Sequence, residues 1–260
     1  MMKKTGERGG AGTMIKAVLF DQDGVIIDTE RDGHRVAFNS TFREFGLPVE
    51  WDVELYHRLL QIGGGKERMR HYFEDHYTGK LPEDLDGLVQ KMHLRKTAVF
   101  IDLLETMPLR PGILRFMREI KAAGLKIGIC TTSNEKVAHT IADRKLGEIG
   151  FDVLIAGDMV SRKKPDPEIY STALAKIGVG PRDCLVVEDS SIGVRSGRAA
   201  GCRVLATVNG YTRDEDLSGA DIIVTCLGDE EGEKARFLGK SIPLARSGIV
   251  TFADIVKALG

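Results

Sequence analysis

The 260-residue sequence lacks an excess of charge of either sign, since 37 Lys and Arg stand against 38 Asp and Glu. Nucleic-acid-binding proteins usually carry a basic excess, so we expect no nucleic-acid partner. No apolar run approaches the ~20 residues that span a bilayer, so we expect no membrane partner. Residues 1–13 are polar and basic without an apolar stretch, which predicts a disordered tail and no secretory signal.

Cysteine is also scarce. The four cysteines form no CxxC pair and lie at no zinc spacing to a histidine, which disfavours a metal–thiolate site. They are Cys130, Cys184, Cys202 and Cys226. All fall in or beside apolar runs, as is typical of small buried side chains in a reducing compartment. We therefore expect a cytoplasmic protein, or a plastid one only if the source is photosynthetic and a transit peptide is missing.

Short apolar runs alternate with helical patterns over most of the chain. The first strand is predicted at 15–20, and further strands at 125–130, 153–156, 184–187, 203–207 and 222–225. Helices are predicted from Ile113 to Gly124, from about Glu135, and at 168–177, 192–200 and 251–259. Strands that alternate with helices predict an α/β fold, a Rossmann-like parallel sheet covered on both faces.

Residues 29–107 interrupt this alternation directly after the first strand. They contain only helical patterns, broken at 46–48, 63–65 and 79–82. We therefore predict an inserted α-helical cap domain at 29–107 and an α/β core domain formed by 14–28 and 108–260. A charged insert at 228–250 is expected to be solvated surface.

Polar side chains follow the predicted strands at the carboxyl ends, where open α/β sheets bind ligands. Asp21 and Asp23 follow the first strand, 131–134 the second, Lys164 the third, and Glu188-Asp189 the fourth. Four carboxylates at one edge repel each other, and Mg²⁺ bound together with phosphate oxygens offsets that repulsion. The lysine and the hydroxyl–amide loop suit a phosphoryl group. One Asp can attack phosphorus and Asp23 can protonate the leaving oxygen.

Each of these segments alone has a structural explanation, because Asp after a strand is commonly a helix cap or turn former. All four in compatible order disfavour that explanation. A calcium loop of the EF-hand type does not fit residues 21–24, since its fifth position needs an oxygen ligand and is Val25 here.

These segments resemble the four motifs of the haloacid dehalogenase superfamily of phosphotransferases. The resemblance implies that Asp21 is the nucleophile and that Asp23 is the general acid/base, with its backbone carbonyl on Mg²⁺. It further implies that Thr131 binds phosphoryl oxygens and that Lys164 neutralises charge and positions Asp21. Asp189 would ligate Mg²⁺ with Glu188 beside it, directly or through water. The presence of Asp23 argues against the metal-free dehalogenase branch.

Parts of the predicted cap are similar to the CbbY-type sugar bisphosphatases, which remove one phosphate from xylulose-1,5-bisphosphate. The similar segments are 28–30, 33–35, 51–52 and 63–69. The resemblance implies a sugar phosphate or bisphosphate substrate, with Lys66 and Arg68 on the second phosphate and Glu30 on sugar hydroxyls. The other predicted substrate-binding residues are His34, Ser133 and Asn134. From the residues alone, the Gly63–Gly65 loop is neither a Walker loop nor a dinucleotide fingerprint, and a flexible interhelical loop remains the alternative.

Two other functions are weighed against a phosphatase. β-Phosphoglucomutases carry a histidine three residues after the Glu30 position; here that position is Gly33, and His34 lies one further on. This weakens the mutase alternative, although a one-residue slip in the first cap helix would restore the histidine. The second alternative is a non-catalytic phospho-ligand-binding regulator, which has no need of the acid Asp23. We expect a monomer whose only partner is a small sugar phosphate.

Overall fold

The computed structural model describes residues 14–260, apart from the side chains of residues 31 and 32. The predicted tail at 1–13 lies outside the described residues. The strands are β1 Ala17–Phe20, β2 Lys126–Thr131, β3 Val153–Ala156, β4 Cys184–Glu188, β5 Arg203–Thr207 and β6 Ile222–Val224. They form one sheet in the order β3-β2-β1-β4-β5-β6, and every neighbouring pair is parallel. The predicted α/β class is confirmed, with the predicted bounds of these strands met to within two residues.

Within the described part of the chain, α-helices connect these strands or follow the last of them. The helices are α1 Arg35–Glu44, α2 Val53–Leu59, α3 Gly65–Asp75, α4 Leu85–Leu104, α5 Ile113–Ala122, α6 Glu135–Leu146, α7 Glu168–Ile177, α8 Ser191–Ala199 and α9 Phe252–Leu259. A π-helical turn spans Glu30–His34, and 3₁₀ turns span Gly157–Met159 and Pro181–Asp183. No helix within residues 14–260 combines the length and apolar character that a membrane span needs.

Two apolar layers hold the helices to the sheet, because side chains alternate between the faces of each strand. Val18 and Phe20 of β1 pack in the layer that contains Phe116 of α5, together with residues of α6 and α9. Ala17 and Leu19 pack in the opposite layer, with residues of α7 and α8. Both faces of β1 are buried, and its carboxyl end therefore opens between the ends of β2 and β4.

Helices α1–α4 contain an apolar cluster of their own, rich in aromatic side chains. Its centre is Trp51, whose ring centroid lies 4.7 Å from that of Phe38 and 4.9 Å from that of Phe42. The two halves of the fold share packing, because Phe100 of α4 belongs to a sheet layer and Tyr211 joins the aromatic cluster. The division into a cap at 29–107 and a core remains a prediction.

The charged insert at 228–250 covers the edge of the sheet. Phe237 forms an antiparallel bridge with Val224 of β6, and Ala235 and Ile242 are buried in a sheet layer. Glu230, Glu231 and Glu233 are exposed, as expected for solvated charge. The insert therefore protects an edge strand that would otherwise present unpaired backbone groups.

Candidate active site

The loop after β1 holds the first two predicted carboxylates at the carboxyl edge of the sheet. The backbone N–H of Asp21 donates to the carbonyl of Val187 at 2.9 Å, which continues the pairing of β1 with β4. Gly24 has a φ of 87°, a conformation that favours glycine. A Cβ at Gly24 would also overlap the carboxylate of Asp189. Glycine therefore lets the first motif turn tightly against the fourth.

Lys164 joins the first, third and fourth motifs. Its Nζ donates to Asp21 Oδ1 at 2.6 Å, to Glu188 Oε1 at 2.6 Å, and to the carbonyl of Cys130 at 3.1 Å. Burial alone lowers the pKa of Lys164, but Asp21 and Glu188 together raise it above its ordinary value. A charged lysine is thus fixed against the predicted nucleophile.

Three buried carboxylates form a group that fits a divalent metal ion. Asp21, Glu188 and Asp189 each offer an oxygen, and these atoms lie within 4.8 Å of one another. Burial raises the pKa of Asp21 to about 8, because Lys164 only partly offsets it. Burial and the neighbouring carboxylates likewise raise the pKa of Asp189 well above its usual range. An all-oxygen donor set that repels its own charge suits a hard cation such as Mg²⁺.

The members of this group differ in how many of their lone pairs are already used. Glu188 Oε1 accepts from Lys164 and from Tyr170 Oη at 2.6 Å, and its Oε2 accepts from the backbone N–H of Asp189 at 3.1 Å. Asn209 Nδ2 donates to Asp189 Oδ2 at 2.6 Å. This arrangement favours Asp21 and Asp189 as direct metal ligands, with Glu188 behind them.

Asp23 is surrounded by hydrogen-bond donors. Its Oδ1 accepts from Thr29 Oγ1 at 2.5 Å and lies 2.9 Å from His34 Nε2, and its Oδ2 accepts from Ser133 Oγ. Burial would raise the pKa of Asp23, but these three partners hold it well below the usual range. The carboxylate form of Asp23 is therefore the stable one in this arrangement.

A π-helical turn brings His34 to Asp23. The backbone N–H of His34 donates to the carbonyl of Thr29, and that of Arg35 to Glu30, so both bonds span five residues. A π-turn adds one residue to a helical turn and is frequent at functional sites. The one-residue slip that the sequence left open is present, and it compensates for Gly33 at the expected histidine position.

The second ring nitrogen of His34 faces a buried lysine. Lys96 Nζ lies 2.8 Å from His34 Nδ1, and only 5% of Lys96 is exposed. An ammonium group has donors only, so Nδ1 accepts and Nε2–H donates to Asp23. Burial lowers the pKa of Lys96 to about 8, and its Nζ lies 4.6 Å from the ring centre of Phe38.

Glu30 and Arg68 meet at the hydroxyl of Tyr56. Tyr56 Oη donates to Glu30 Oε2, and Arg68 Nη1 donates to Tyr56 Oη at 3.0 Å. Arg68 also donates to the carbonyls of Leu59 at 3.1 Å and Ile62 at 3.2 Å. The guanidinium of Arg68 therefore stabilises the backbone of residues 59–62. The sequence analysis predicts instead that Arg68 contacts the second phosphate of the substrate.

The loop Gly63–Gly65 lies directly on the sheet edge. A Cβ at Gly63 would lie 3.1 Å from the carbonyl oxygen of Lys164, and a Cβ at Gly65 would lie 3.0 Å from His93 Nε2. Larger residues would push this loop away from the third motif. Lys66, in the first turn of α3, forms an ion pair with Asp158 beyond the end of β3.

The end of β2 supplies hydroxyl and amide groups. Thr131 is buried and its Oγ1 accepts from the backbone N–H of Ser133 at 3.1 Å. Asn134 caps α6, with its Oδ1 accepting from the N–H of Lys136 at 2.9 Å. These groups stand at the N-terminus of α6, where anions are stabilised.

A cavity of about 80 Å³ lies between the sheet edge and the π-helical turn, α3 and α4. It is lined by every predicted site residue except Lys66 and Glu188. Glu188 is fully buried behind Lys164. Lys66 lines a second cavity of about 110 Å³, which adjoins the first through Gly65, His93, Thr132 and Asn134.

Four residues at this site were missed from the sequence. Lys96 had a signal, because it lies on the apolar stripe Met92, Lys96, Phe100 of α4, where a charge is unusual. Asn209 also had one, since it follows the carboxyl end of β5. His93 gives no signal, because its position in a helical pattern is typical of surface or packing residues, yet it is buried and lines both cavities. Tyr170 gave no signal that separates it from the apolar core.

A sheet edge that joins two aspartates, a lysine and an acidic pair defines a hydrolase site on a doubly wound α/β fold. Residues 15–201 match the sequence profile of the haloacid dehalogenase-like hydrolases. The chain belongs to this family.

Relatives within the family carry the name CbbY. The chain is 45% identical over 230 residues to a CBBY-like protein of Arabidopsis thaliana, which covers 85% of this chain and 72% of the relative. It is 40% identical over 214 residues to Protein CbbY of Rhodobacter capsulatus, and this match covers 80% of this chain and 91% of that relative. The structure is also similar to a crystal structure of mutant CbbY from Rhodobacter sphaeroides in complex with xylulose-(1,5)bisphosphate. The two align with a TM-score of 0.75 at 36% sequence identity, and the alignment covers 82% of this chain and 95% of the other.

These similarities confirm the predicted family and the resemblance to CbbY. They also confirm the prediction of an enzyme, a phosphatase-class hydrolase of the haloacid dehalogenase type. The roles of the individual site residues remain predictions.

Proposed function

We propose that the protein is a Mg²⁺-dependent phosphatase that hydrolyses a small sugar phosphate or bisphosphate, similar to xylulose-1,5-bisphosphate, through an aspartyl phosphate. The observation that carries the proposal is the contact of Lys164 Nζ with Asp21 Oδ1 at 2.6 Å, with Asp23 lining the same cavity. The similarity to a CbbY that binds xylulose-(1,5)bisphosphate supports the substrate class.

In the first step, the Asp21 carboxylate attacks phosphorus and the bond from phosphorus to the sugar oxygen breaks. Asp23 transfers a proton to that oxygen. Lys164 holds Asp21 in place, and Thr131 lies where it can bind a phosphoryl oxygen. Because Thr29, His34 and Ser133 favour the Asp23 carboxylate, a proton on Asp23 requires that some of these hydrogen bonds be exchanged.

In the second step, water attacks phosphorus on Asp21, and the bond between phosphorus and the Asp21 oxygen breaks. Asp23 accepts the proton of that water, which is the role that its lowered pKa already suits. Inorganic phosphate then leaves and restores the carboxylate of Asp21.

Asp21 and Asp189, with Glu188 beside them, would hold the Mg²⁺ ion, together with the backbone carbonyl of Asp23. When bound, the ion supplies positive charge to the phosphoryl oxygens and to the crowded carboxylates. The buried group of three carboxylates and the raised pKa values of Asp21 and Asp189 support this assignment.

For a bisphosphate, we propose that the second phosphate binds in the cavity that contains Lys66. That cavity adjoins the catalytic cavity. Lys66 is the cationic residue of α3 that lines it. Glu30 lines the catalytic cavity and His93 lines both cavities, so both are candidates to contact sugar hydroxyls.

The test is phosphate release from a panel of sugar phosphates and bisphosphates with and without Mg²⁺. We expect release that requires Mg²⁺, prefers a bisphosphate and is lost in Asp21→Asn. Full activity of Asp21→Asn would overturn the proposed nucleophile. No release from any substrate would overturn the phosphatase and leave a mutase or a phospho-ligand-binding regulator, which the interconversion of sugar phosphates separates.

A β-phosphoglucomutase is the second candidate, favoured by the π-helical turn that places His34 on Asp23. A mutase would interconvert sugar phosphates in the presence of a bisphosphate activator without net release of phosphate. Measuring both products in one incubation separates the two candidates. The cytoplasmic location and the monomeric state remain predictions.

A further inference from the structure

Asp158 connects α3 to the sheet through two lysines. It lies in the 3₁₀ turn after β3, and its Oδ2 accepts from Lys66 Nζ. Lys163 Nζ lies 3.2 Å from Asp158 Oδ1 and also donates to the carbonyl of Gly157. Within residues 14–260, neither lysine has an ion pair with another carboxylate. Asp158 is therefore the counter-ion for both.

This cluster lines the second cavity, which also lies at the N-termini of two helices. Gly65 begins α3 and Glu135 begins α6, and both residues line the cavity. Two ammonium groups and two helix N-termini attract an anion to this cavity, while the carboxylates of Glu67 and Glu135, which also line it, oppose one. The Asp158 carboxylate is the acidic group that already occupies the lysines, and 66% of its side chain is exposed, so water can replace its hydrogen bonds.

We propose that Asp158 is a specificity-determining residue that competes with the distal phosphate of the substrate for Lys66 and Lys163. This inference rests on the proposed function. A phosphate dianion carries about twice the charge of a carboxylate and displaces Asp158 from the lysines. A substrate with an uncharged distal end leaves the ion pairs in place.

The same competition acts on the product. Hydrolysis removes the phosphate held at Asp21 and leaves the distal phosphate on the sugar. When Asp158 binds Lys66 again, it weakens the hold on that remaining phosphate and favours product release. Asp158 thus limits the affinity for every ligand with a distal phosphate, substrate and product alike.

The test is Asp158→Asn, which keeps the shape and removes the competing charge. We expect the KM for a sugar bisphosphate and the inhibition constant of its monophosphate product each to fall about fivefold, the effect of two exposed ion pairs. The KM for a sugar phosphate with an uncharged distal end stays the same or rises. Asp143→Asn is the matched control, because Asp143 is exposed on α6 two turns from its N-terminus.

The competition also predicts coupling. In the Lys66→Ala, Lys163→Ala background, Asp158→Asn is expected to leave the bisphosphate KM unchanged, since the charges for which it competes are gone. An unchanged bisphosphate KM in Asp158→Asn alone, or equal falls for both substrate classes, would overturn the proposal.

Calorimetric binding of a sugar bisphosphate to Asp21→Asn enzyme keeps the test independent of turnover. If the wild-type protein released no phosphate, the proposed function would fail. Asp158→Asn in the Asp21→Asn background would still reveal whether Asp158 competes with the ligand, because binding alone is measured.

Discussion

His34 Nε2 lies 2.9 Å from Asp23 Oδ1, and the opposite ring nitrogen of His34 lies 2.8 Å from Lys96 Nζ. A buried cation thus fixes the tautomer of a histidine that points at the predicted acid/base. The pair also joins two segments, because Asp23 follows β1 and His34 belongs to the π-helical turn before α1. Any movement of that turn changes the hydrogen bonding, and hence the proton affinity, of Asp23.

Replacing His34 tests whether it positions Asp23. We expect His34→Leu to lower kcat about 100-fold, within the range of acid–base contributions, with a smaller change in KM. His34→Gln keeps an N–H donor and should recover part of the rate. The pH dependence of kcat should shift in both variants, because the hydrogen bond that stabilises the Asp23 carboxylate is altered. Equal losses in Leu and Gln variants with an unchanged pH profile would indicate a role in packing only.

Replacing Lys96 should separate stability from activity. Lys96 is buried between Phe38 and Phe100, and its charge is disfavoured there, as the pKa of about 8 shows. Lys96→Met fills the same space without that charge, so we expect the free energy of unfolding to rise by about 1 kcal/mol. Activity should fall about 10-fold or more, because His34 loses its donor. Urea unfolding and phosphate release measure the two effects.

The matched control for Lys96→Met is Lys91→Met, an exposed position on the same helix. It should leave both stability and activity nearly unchanged. A Lys96→Met protein that is less stable than the wild type would show that the buried ammonium contributes to the fold.

Most of the site could be predicted from the sequence, because open α/β sheets bind ligands at the carboxyl ends of their strands. Hydrophobic runs located β1, β2, β3 and β4, and parallel pairing then places Asp21, Thr131, Lys164 and Asp189 at one edge without further information. The sequence could raise a one-residue slip at His34 but not decide it, because whether the helix gains a residue depends on the packing of Phe100 and Lys96 around His34. The partners of Lys66 and Arg68 could not be predicted either. Asp158 lies 92 residues from Lys66 in the chain, and Tyr56 lies 12 residues from Arg68.

Removing Lys164 should destabilise the protein as well as inactivate it. Lys164 Nζ lies 2.6 Å from both Asp21 and Glu188, all three being buried. Lys164→Met leaves two carboxylates without their cation, which costs about 3 kcal/mol of unfolding free energy. Mg²⁺ should raise the stability of this variant more than that of the wild type, since it supplies the missing positive charge. Thermal unfolding with Mg²⁺ and with EDTA measures the difference.

The control for Lys164→Met is Tyr170→Phe, which removes a hydrogen bond to the Glu188 carboxylate but no charge. We expect a loss of about 2 kcal/mol that does not depend on Mg²⁺. Equal responses of both variants to Mg²⁺ would contradict the assignment of the metal to this group of carboxylates.

Asn209 should set the affinity for the metal ion. Its Nδ2 donates to Asp189 Oδ2 at 2.6 Å, while its Oδ1 accepts from the backbone of Tyr211 at 2.8 Å. Asn209→Ala frees the Asp189 carboxylate to turn, so the Mg²⁺ concentration for half-maximal activity should rise about 10-fold. The maximal rate at saturating Mg²⁺ should change much less. A lower maximal rate with unchanged Mg²⁺ dependence would place Asn209 on the substrate.

His93 should make the stability of the protein fall in acid. Burial lowers the pKa of His93 to about 3, assisted by Lys96 of its own helix, Lys66 of α3 and His34, while Asp158 opposes them. Between pH 6.5 and about 3, the unfolded chain binds a proton at this position and the folded protein does not. The free energy of unfolding therefore loses about 1.4 kcal/mol per pH unit as the pH falls through this window. His93→Gln cannot bind that proton, so its stability between about pH 6 and pH 4 should fall less steeply by about that amount, measured by urea unfolding. His139→Gln, at an exposed position on α6, is the control and should retain the wild-type slope. A wild-type slope in His93→Gln would mean that His93 becomes protonated within the folded protein.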